Sequence, residues 1–224
     1  MSKIKLIFFG IIFLIGISSF AQQKLKLQNF IGIKGGVAGS RINLSIKPDT
    51  SIFKSGTTAG LVFKSLTGET FGLILECNYT QKGGLAYYDI LQPADSSYYK
   101  NLFTTKSDHF EFTFLTNIRI GKNKNLLDIN FGPNISYLYK NKREFLNTEI
   151  INPEMDKFEN IYAAGINFGI GYSRIFSFGI ISSELRFSQD FTDIYPQNKI
   201  NQSVISENQV ISFTVSYLLK LGKK

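Results

Sequence analysis

Seven connecting segments that alternate long and short divide the chain into eight stretches of period-2 apolar patterning, and few folds satisfy that rhythm. The long segments run 39–56, 81–108, 139–159 and 192–208. The short ones are 67–70 (Thr-Gly-Glu-Thr), 121–125 (Gly-Lys-Asn-Lys-Asn) and 174–176 (Arg-Ile-Phe). Tight turns at one end and long loops at the other suit an up-and-down barrel in an outer membrane. The pattern is clearest after residue 108. Phe110, Phe112, Phe114, Ile118 and Ile120 share one parity; His109, Glu111, Thr113, Asn117 and Arg119 share the other. Successive side chains of a strand point to opposite faces, so this segment has an oily side and a wet side, which a helix would mix.

The same alternation runs through 71–80, 126–138, 160–173 and 209–219, and more weakly through 29–38, 57–66 and 177–191. A soluble β-sandwich also shows period 2. Three features favour a barrel in lipid. The strands are long enough to cross a bilayer at a tilt of about 45°. The connections are asymmetric between the two ends. Aromatic residues mark the strand ends: Tyr79, Phe110, Tyr137 and Tyr162 at the long-loop end, and Phe71, Tyr172 and Tyr217 at the turn end. Two such rings read as interfacial girdles. The expected fold is therefore all-β: an eight-stranded antiparallel up-and-down transmembrane β-barrel with the four long loops outside and the turns in the periplasm.

Residues 1–21 read as a cleaved signal peptide. Lys3 and Lys5 precede an apolar core, Leu6 to Ile17, and Ser19 and Ala21 supply the small residues of a cleavage site. The barrel domain would then be 22–224. Without Lys3 and Lys5 the chain keeps 23 basic against 17 acidic residues, a net of +6. Export and the scattered placement of these charges argue against nucleic acid, and anionic lipid headgroups account for them more economically. Cys77 is the single cysteine, so neither an intrachain disulfide nor a thiolate metal cluster is expected. It falls in register with Leu75 and Tyr79 as a small lipid-facing residue.

On the wet parities, Lys34, Lys64, Arg119 and Arg186 oppose Glu76, Glu111, Asp128 and Glu184. Eight strands leave an interior just wide enough for side chains, so these charges predict a plugged, salt-bridged lumen rather than an open pore. Pro133 interrupts a strand that must pair on both sides, and its missing N–H calls for a bulge.

Several short stretches, in this order, resemble the PorT-like family of outer-membrane β-barrels. They are Gly32-Ile33-Lys34-Gly35-Gly36, Tyr79-Thr80-Gln81-Lys82-Gly83, Phe110-Glu111-Phe112, Phe131-Gly132-Pro133, Gly169-Ile170-Gly171-Tyr172 and Phe191-Thr192-Asp193-Ile194. The resemblance implies that Pro133 is a family feature and that a link to protein secretion is one possible role. The chain ends Leu219-Lys220-Leu221-Gly222-Lys223-Lys224 rather than in the aromatic residue that barrel assembly commonly reads.

No cofactor or metal is expected. His109 is the only histidine, which removes multi-histidine sites. Ser107, His109 and Glu111 share one strand face, but a spacing of about 7 Å is too long for direct hydrogen bonds between them. A lipid-modifying enzyme is thus the weakest reading. A soluble periplasmic barrel carrying a small apolar ligand is the runner-up. The favoured role is structural or interactive, through protein or glycan contacts of the long loops. Tyr87, Tyr88, Tyr98 and Tyr99 on segment 81–108 are the candidate contact residues, since each offers a broad face and a polar tip.

Overall fold

The computed structural model describes residues 27–44, 51–91, 98–122, 124–145, 160–193 and 206–222. Its strands are β1 (Leu27–Leu44), β2 (Ser51–Thr67), β3 (Phe71–Leu91), β4 (Tyr98–Lys122), β5 (Asn125–Phe145), β6 (Tyr162–Ile175), β7 (Gly179–Asp190) and β8 (Ser206–Leu221). Each pairs antiparallel with the next, and β8 pairs with β1 to close the barrel. Closure satisfies the backbone of every strand from both sides, as lipid requires.

The closing seam explains the glycines near the start of the chain. A Cβ on Gly32 would collide with the carbonyl of Tyr217, and one on Gly36 with that of Phe213. Between the two ends of the barrel the outward parity is largely apolar: Ile33, Leu61, Phe112 and Ile135 are each about 60% accessible, which a lipid environment makes tolerable. At the long-loop end Phe110 lies edge-on to Tyr79 and Tyr139, with ring centroids 5.9 and 5.5 Å away, and Tyr137 leans on Tyr162 at 5.5 Å. At the turn end Phe176 stacks on Phe178 at 5.1 Å, and Phe178 meets Tyr217 at 6.0 Å.

Three expectations need correction. Six of the eight strands run 16 to 25 residues, beyond the 10–14 that the apolar alternation suggests, while β6 with 14 and β7 with 12 keep to it. Most of segment 81–108 is strand, because the β3–β4 pairing continues from the membrane band out to Leu91 and Tyr98. The last turn lies at Ser177-Phe178, inside reciprocal backbone bonds between Phe176 and Gly179, rather than at 174–176. The register also shows how Pro133 is absorbed, and it is not by a bulge. Thr113 pairs with Asn134 and Thr116 with Phe131 in one unbroken register, while the two pairs between them drop out of the ladder. Pro133 removes a single donor, and Gly132, which lacks a Cβ, lets the chain press against the Phe114 carbonyl. The β4–β5 bulge lies higher, between Asp108 and His109, where Tyr139 is the extra residue.

Leu75 lies on β3 midway between Phe71 and Tyr79, facing out. Leu75→Arg is expected to destabilise the barrel by about 2–4 kcal/mol, measured by urea unfolding in lipid vesicles, whereas the same change at Tyr139 in the outer ring costs less.

Candidate functional site

The inward parity fills the lumen in layers. The lowest layer is apolar. Phe30, Val62, Leu66, Ile74, Leu115, Ile180 and Leu218, contributed by β1, β2, β3, β4, β7 and β8, form a buried cluster at the turn end. Each sits on the otherwise polar face of its strand. Together they fill the lumen at the turn end.

Above this seal lies an ion cluster. Glu76 is its centre: Lys34 Nζ lies 3.0 Å from Oε2, Arg186 Nη1 2.6 Å from Oε2 and Nη2 2.9 Å from Oε1. Asn78 donates a further bond of 2.9 Å to Oε2. Arg186 also grips Glu184 through Nε at 3.0 Å and Nη2 at 2.8 Å, so one guanidinium bridges two carboxylates. A planar fork suits this double bidentate contact, which the point charge of a lysine would not. Glycine makes the room, because a Cβ on Gly169 would collide with the Glu184 carboxylate. Beside it, Lys64 Nζ lies 3.3 Å from Asp128, which also accepts bonds from Asn117 Nδ2 at 2.9 Å and from the Ser173 hydroxyl.

A third layer involves two residues that the sequence reading passed over. Lys82 Nζ lies 2.7 Å from Glu111 and 3.0 Å from Asp190, and its side chain is wholly buried. Thr80 donates to the other Glu111 oxygen at 2.8 Å. The signal was present: Glu76, Asn78, Thr80 and Lys82 share one parity, but Gly83-Gly84 reads as the start of a loop. Those glycines instead let β1 reach across the lumen. The Ser40 hydroxyl donates to the Gly83 carbonyl at 2.8 Å and accepts from the Gly83 amide at 2.7 Å, while a Cβ on Gly84 would crowd Ile42.

Among the described residues of the span, Lys34, Lys64, Lys82, Arg119 and Arg186 balance Glu76, Glu111, Asp128, Glu184 and Asp190. Burying charge without such pairing would cost several kcal/mol per ion. Arg119 departs from its expected role. It faces Asp128 in the register, yet its Nη2 donates to the Gly68 carbonyl at 2.7 Å, and its backbone amide bonds the Thr70 carbonyl at 2.7 Å. Arg119 thus clamps the β2–β3 turn, where Gly68 takes a φ of 70° that favours glycine. Two voids among the described residues are small: about 30 Å³ beside the Glu76 cluster and about 20 Å³ near the top, room for no more than a water or two.

The upper void is lined in part by Thr105, Ser107 and His109. Here another expectation is corrected. His109 Nε2 and the Ser107 hydroxyl lie 3.0 Å apart, within hydrogen-bond reach. The imidazole is long enough to span the i, i+2 spacing along β4, as Asn78 does to reach Glu76 and Arg186 to reach Glu184. Glu111 is held by Lys82, and among the described residues the buried Nδ1 of His109 has no hydrogen-bond partner, so no described acid orients the ring. Tyr87, Tyr88, Tyr98 and Tyr99 are not on an irregular loop. Their backbones pair with Leu102, Asn101, Leu91 and Ile90 in the outer part of the β3–β4 hairpin.

Glu76→Ala is expected to lower stability by about 3–5 kcal/mol, because it strands Lys34 and part of Arg186 in the lumen. Glu76→Met combined with Lys34→Met is expected to cost less than the two single changes added together. Urea unfolding of the refolded barrel, followed by loss of its compact gel migration, measures both.

Three solved structures are similar to this chain. The outer membrane protein OprG from Pseudomonas aeruginosa aligns with a TM-score of 0.48 at 13% identity, over 88% of this chain and 97% of that one. Ail, the attachment invasion locus protein of Yersinia pestis, in complex with the heparin analogue sucrose octasulfate, aligns at 0.41 and 11% identity, over 86% and 99%. Neisserial surface protein A aligns at 0.39 and 10%, over 84% and 95%. No curated protein matches in sequence. Residues 20–196 match the family described as outer membrane protein beta-barrel domain, a stretch that takes in β1 to β7 and most of the chain. The closed barrel with its lipid-facing girdles and this match agree: the chain belongs to the outer membrane protein β-barrel domain family.

Proposed function

We propose that the protein is a closed, non-conducting barrel that acts through the hairpins standing above the outer leaflet, in a structural or interaction role that includes a link to secretion. The observation that carries this reading is the seal: seven apolar side chains from six strands close the turn end beneath a charge-balanced cluster. A lumen so filled performs no transport, so the work falls to the outer surface. There the β3–β4 ladder continues to Leu91 and Tyr98 and carries Tyr87, Tyr88, Tyr98 and Tyr99 with it. A paired hairpin presents such residues in fixed register, which favours a defined protein or glycan partner over random contact. The PorT-like stretches supply the secretion link. Residues 1–21 serve as the export signal and are removed, and both ends of the mature chain lie in the periplasm.

Two measurements test this. Purified barrel in planar bilayers is expected to give no porin-sized unitary conductance; large, regular current steps would overturn the closed lumen. Replacing residues 86–103 by Asn-Gly rejoins Leu85 and Thr104, which are already paired, through a favoured hairpin turn. The shortened barrel is expected to assemble with normal heat-modifiable migration and to lose its crosslinked partners in cells. An unchanged crosslinking pattern would move the interaction off this hairpin.

A further inference from the structure

At the turn end, the wall formed by β4, β5 and β6 changes from apolar to basic within one step of the ladder. Ile120, Leu127 and Tyr172 form one outward cross-strand row, and all three are exposed. In the next outward row Lys122 pairs with Asn125, and Asn125 with Arg174; these too are exposed. Neighbouring strands lie about 4.8 Å apart, so Lys122 and Arg174 flank Asn125 with about 10 Å between their backbones. Both side chains are long enough to meet in front of its amide. Two of the three donors are already positioned. The Tyr172 hydroxyl donates to Asn125 Oδ1 at 2.8 Å, which leaves the amide N–H groups as the end that can donate. The Arg174 guanidinium lies over the Phe176 ring, 5.5 Å from its centroid, a contact that consumes none of its N–H donors.

The sequence supplies this edge with no acid. Lys124, exposed in the β4–β5 turn, adds a third cation. Residues 117–127 and 167–183, which hold both turns beside the row, contain no Asp or Glu, and neither do 1–48 or 208–224, which hold β1, most of β8 and the chain beyond them. The acid of the remaining turn, Glu69, interacts with Arg119. The row also lies at the depth of the aromatic ring to which Tyr172 and Tyr217 belong, and such rings sit at headgroup level. The donors therefore stand where lipid phosphates are, and the Ile120–Leu127–Tyr172 row where acyl chains begin. Three cations without an acid favour a headgroup of net negative charge, because the row offers nothing to pair with a headgroup ammonium. Arg174 suits a phosphate in particular, since its forked donors can bind two oxygens at once.

We infer that Lys122, Asn125 and Arg174 hold the phosphate of one anionic phospholipid of the periplasmic leaflet. The leaflet rests on the orientation proposed above; the binding row does not. Native mass spectrometry of the folded barrel in detergent, titrated with phosphatidylglycerol or with phosphatidylcholine of the same acyl chains, tests the row. The wild type is expected to retain one phosphatidylglycerol in preference to phosphatidylcholine. Lys122→Gln and Arg174→Gln together are expected to weaken phosphatidylglycerol binding by about tenfold or more and to leave phosphatidylcholine unaffected. Asn125→Asp, which puts a carboxylate at the centre of the row, is expected to weaken it at least as much as Lys122→Gln alone. Lys220→Gln removes the same charge at the same end from β8, two strands away from β6, and is expected to bind like the wild type. A double variant, assembled with normal heat-modifiable migration, that keeps the wild-type preference would overturn the inference. So would a Lys220→Gln barrel that loses as much as Lys122→Gln, since attraction would then be diffuse. The leaflet is tested separately with Ser177→Cys, in the β6–β7 turn, in a Cys77→Ser background. A bulky polyethylene-glycol maleimide is expected to label it only after the outer membrane is opened. Labelling in intact cells would overturn the leaflet and the orientation together, while the lipid titration still decides the row.

Discussion

The contact between Glu76 and Arg186 sets the terms for the rest of the barrel. Closing eight strands leaves a core too narrow for bulk water and too polar to be packed with hydrocarbon alone. Every charge turned inward must find its opposite there. Arg186 meets Glu76 through two short bonds and Glu184 through two more, which ties β3 to β7 across the lumen. Lys34 adds β1 to the same carboxylate. Adjacent strands are already joined by backbone bonds. These ties join strands that are not adjacent, and they fix the cross-section of the barrel. The glycines of β6 follow from that geometry, since Gly169 gives up its side chain to leave space for Glu184.

The vertical order of the layers follows from the same constraint. Near the turns, where strand ends converge, apolar side chains from six strands meet without water and form the seal. Higher up, cations and carboxylates alternate around the wall. Higher still, Ser40 bonds the Gly83 backbone and draws β1 toward β3. Among the described residues this arrangement leaves voids only of about 20 to 30 Å³. The outside obeys a simpler rule: between the two aromatic rings the outward side chains are mostly apolar, and the rings mark the two ends of that band.

Much of this was legible in the sequence because period 2 is a strict code. Strand 109–120 showed its two faces without ambiguity, and Lys34, Lys64, Glu76, Asp128, Glu184 and Arg186 fell on inward parities where the structure brings them together. What escaped notice were exceptions to that code. Leu115, Ile74 and Leu218 sit on wet faces and read as imperfections, whereas they are the seal. Their meaning depends on height in the barrel, which parity does not carry. Lys82 was missed because Gly83-Gly84 resembles a loop. In a curved wall, glycine also marks the close approach of another strand. Arg119 had the right parity for the ion cluster, yet a turn carbonyl one strand away offered its long side chain a nearer partner.

The bulge shows how one local irregularity is used on the outer face. A single extra residue, Tyr139, is inserted between the partners of Asp108 and His109. Outward, it adds a ring beside Phe110 and so thickens the aromatic belt. Pro133, which seemed from sequence to need the bulge, needs none, because losing one donor leaves the register intact while Gly132 absorbs the close approach. Proline removes a hydrogen bond and a bulge removes a register. The two were separable in this barrel because they fall at different depths: the proline within the lipid-facing band, where register keeps every side chain on its proper face, and the bulge at the rim, where a shift in register has little left to disturb.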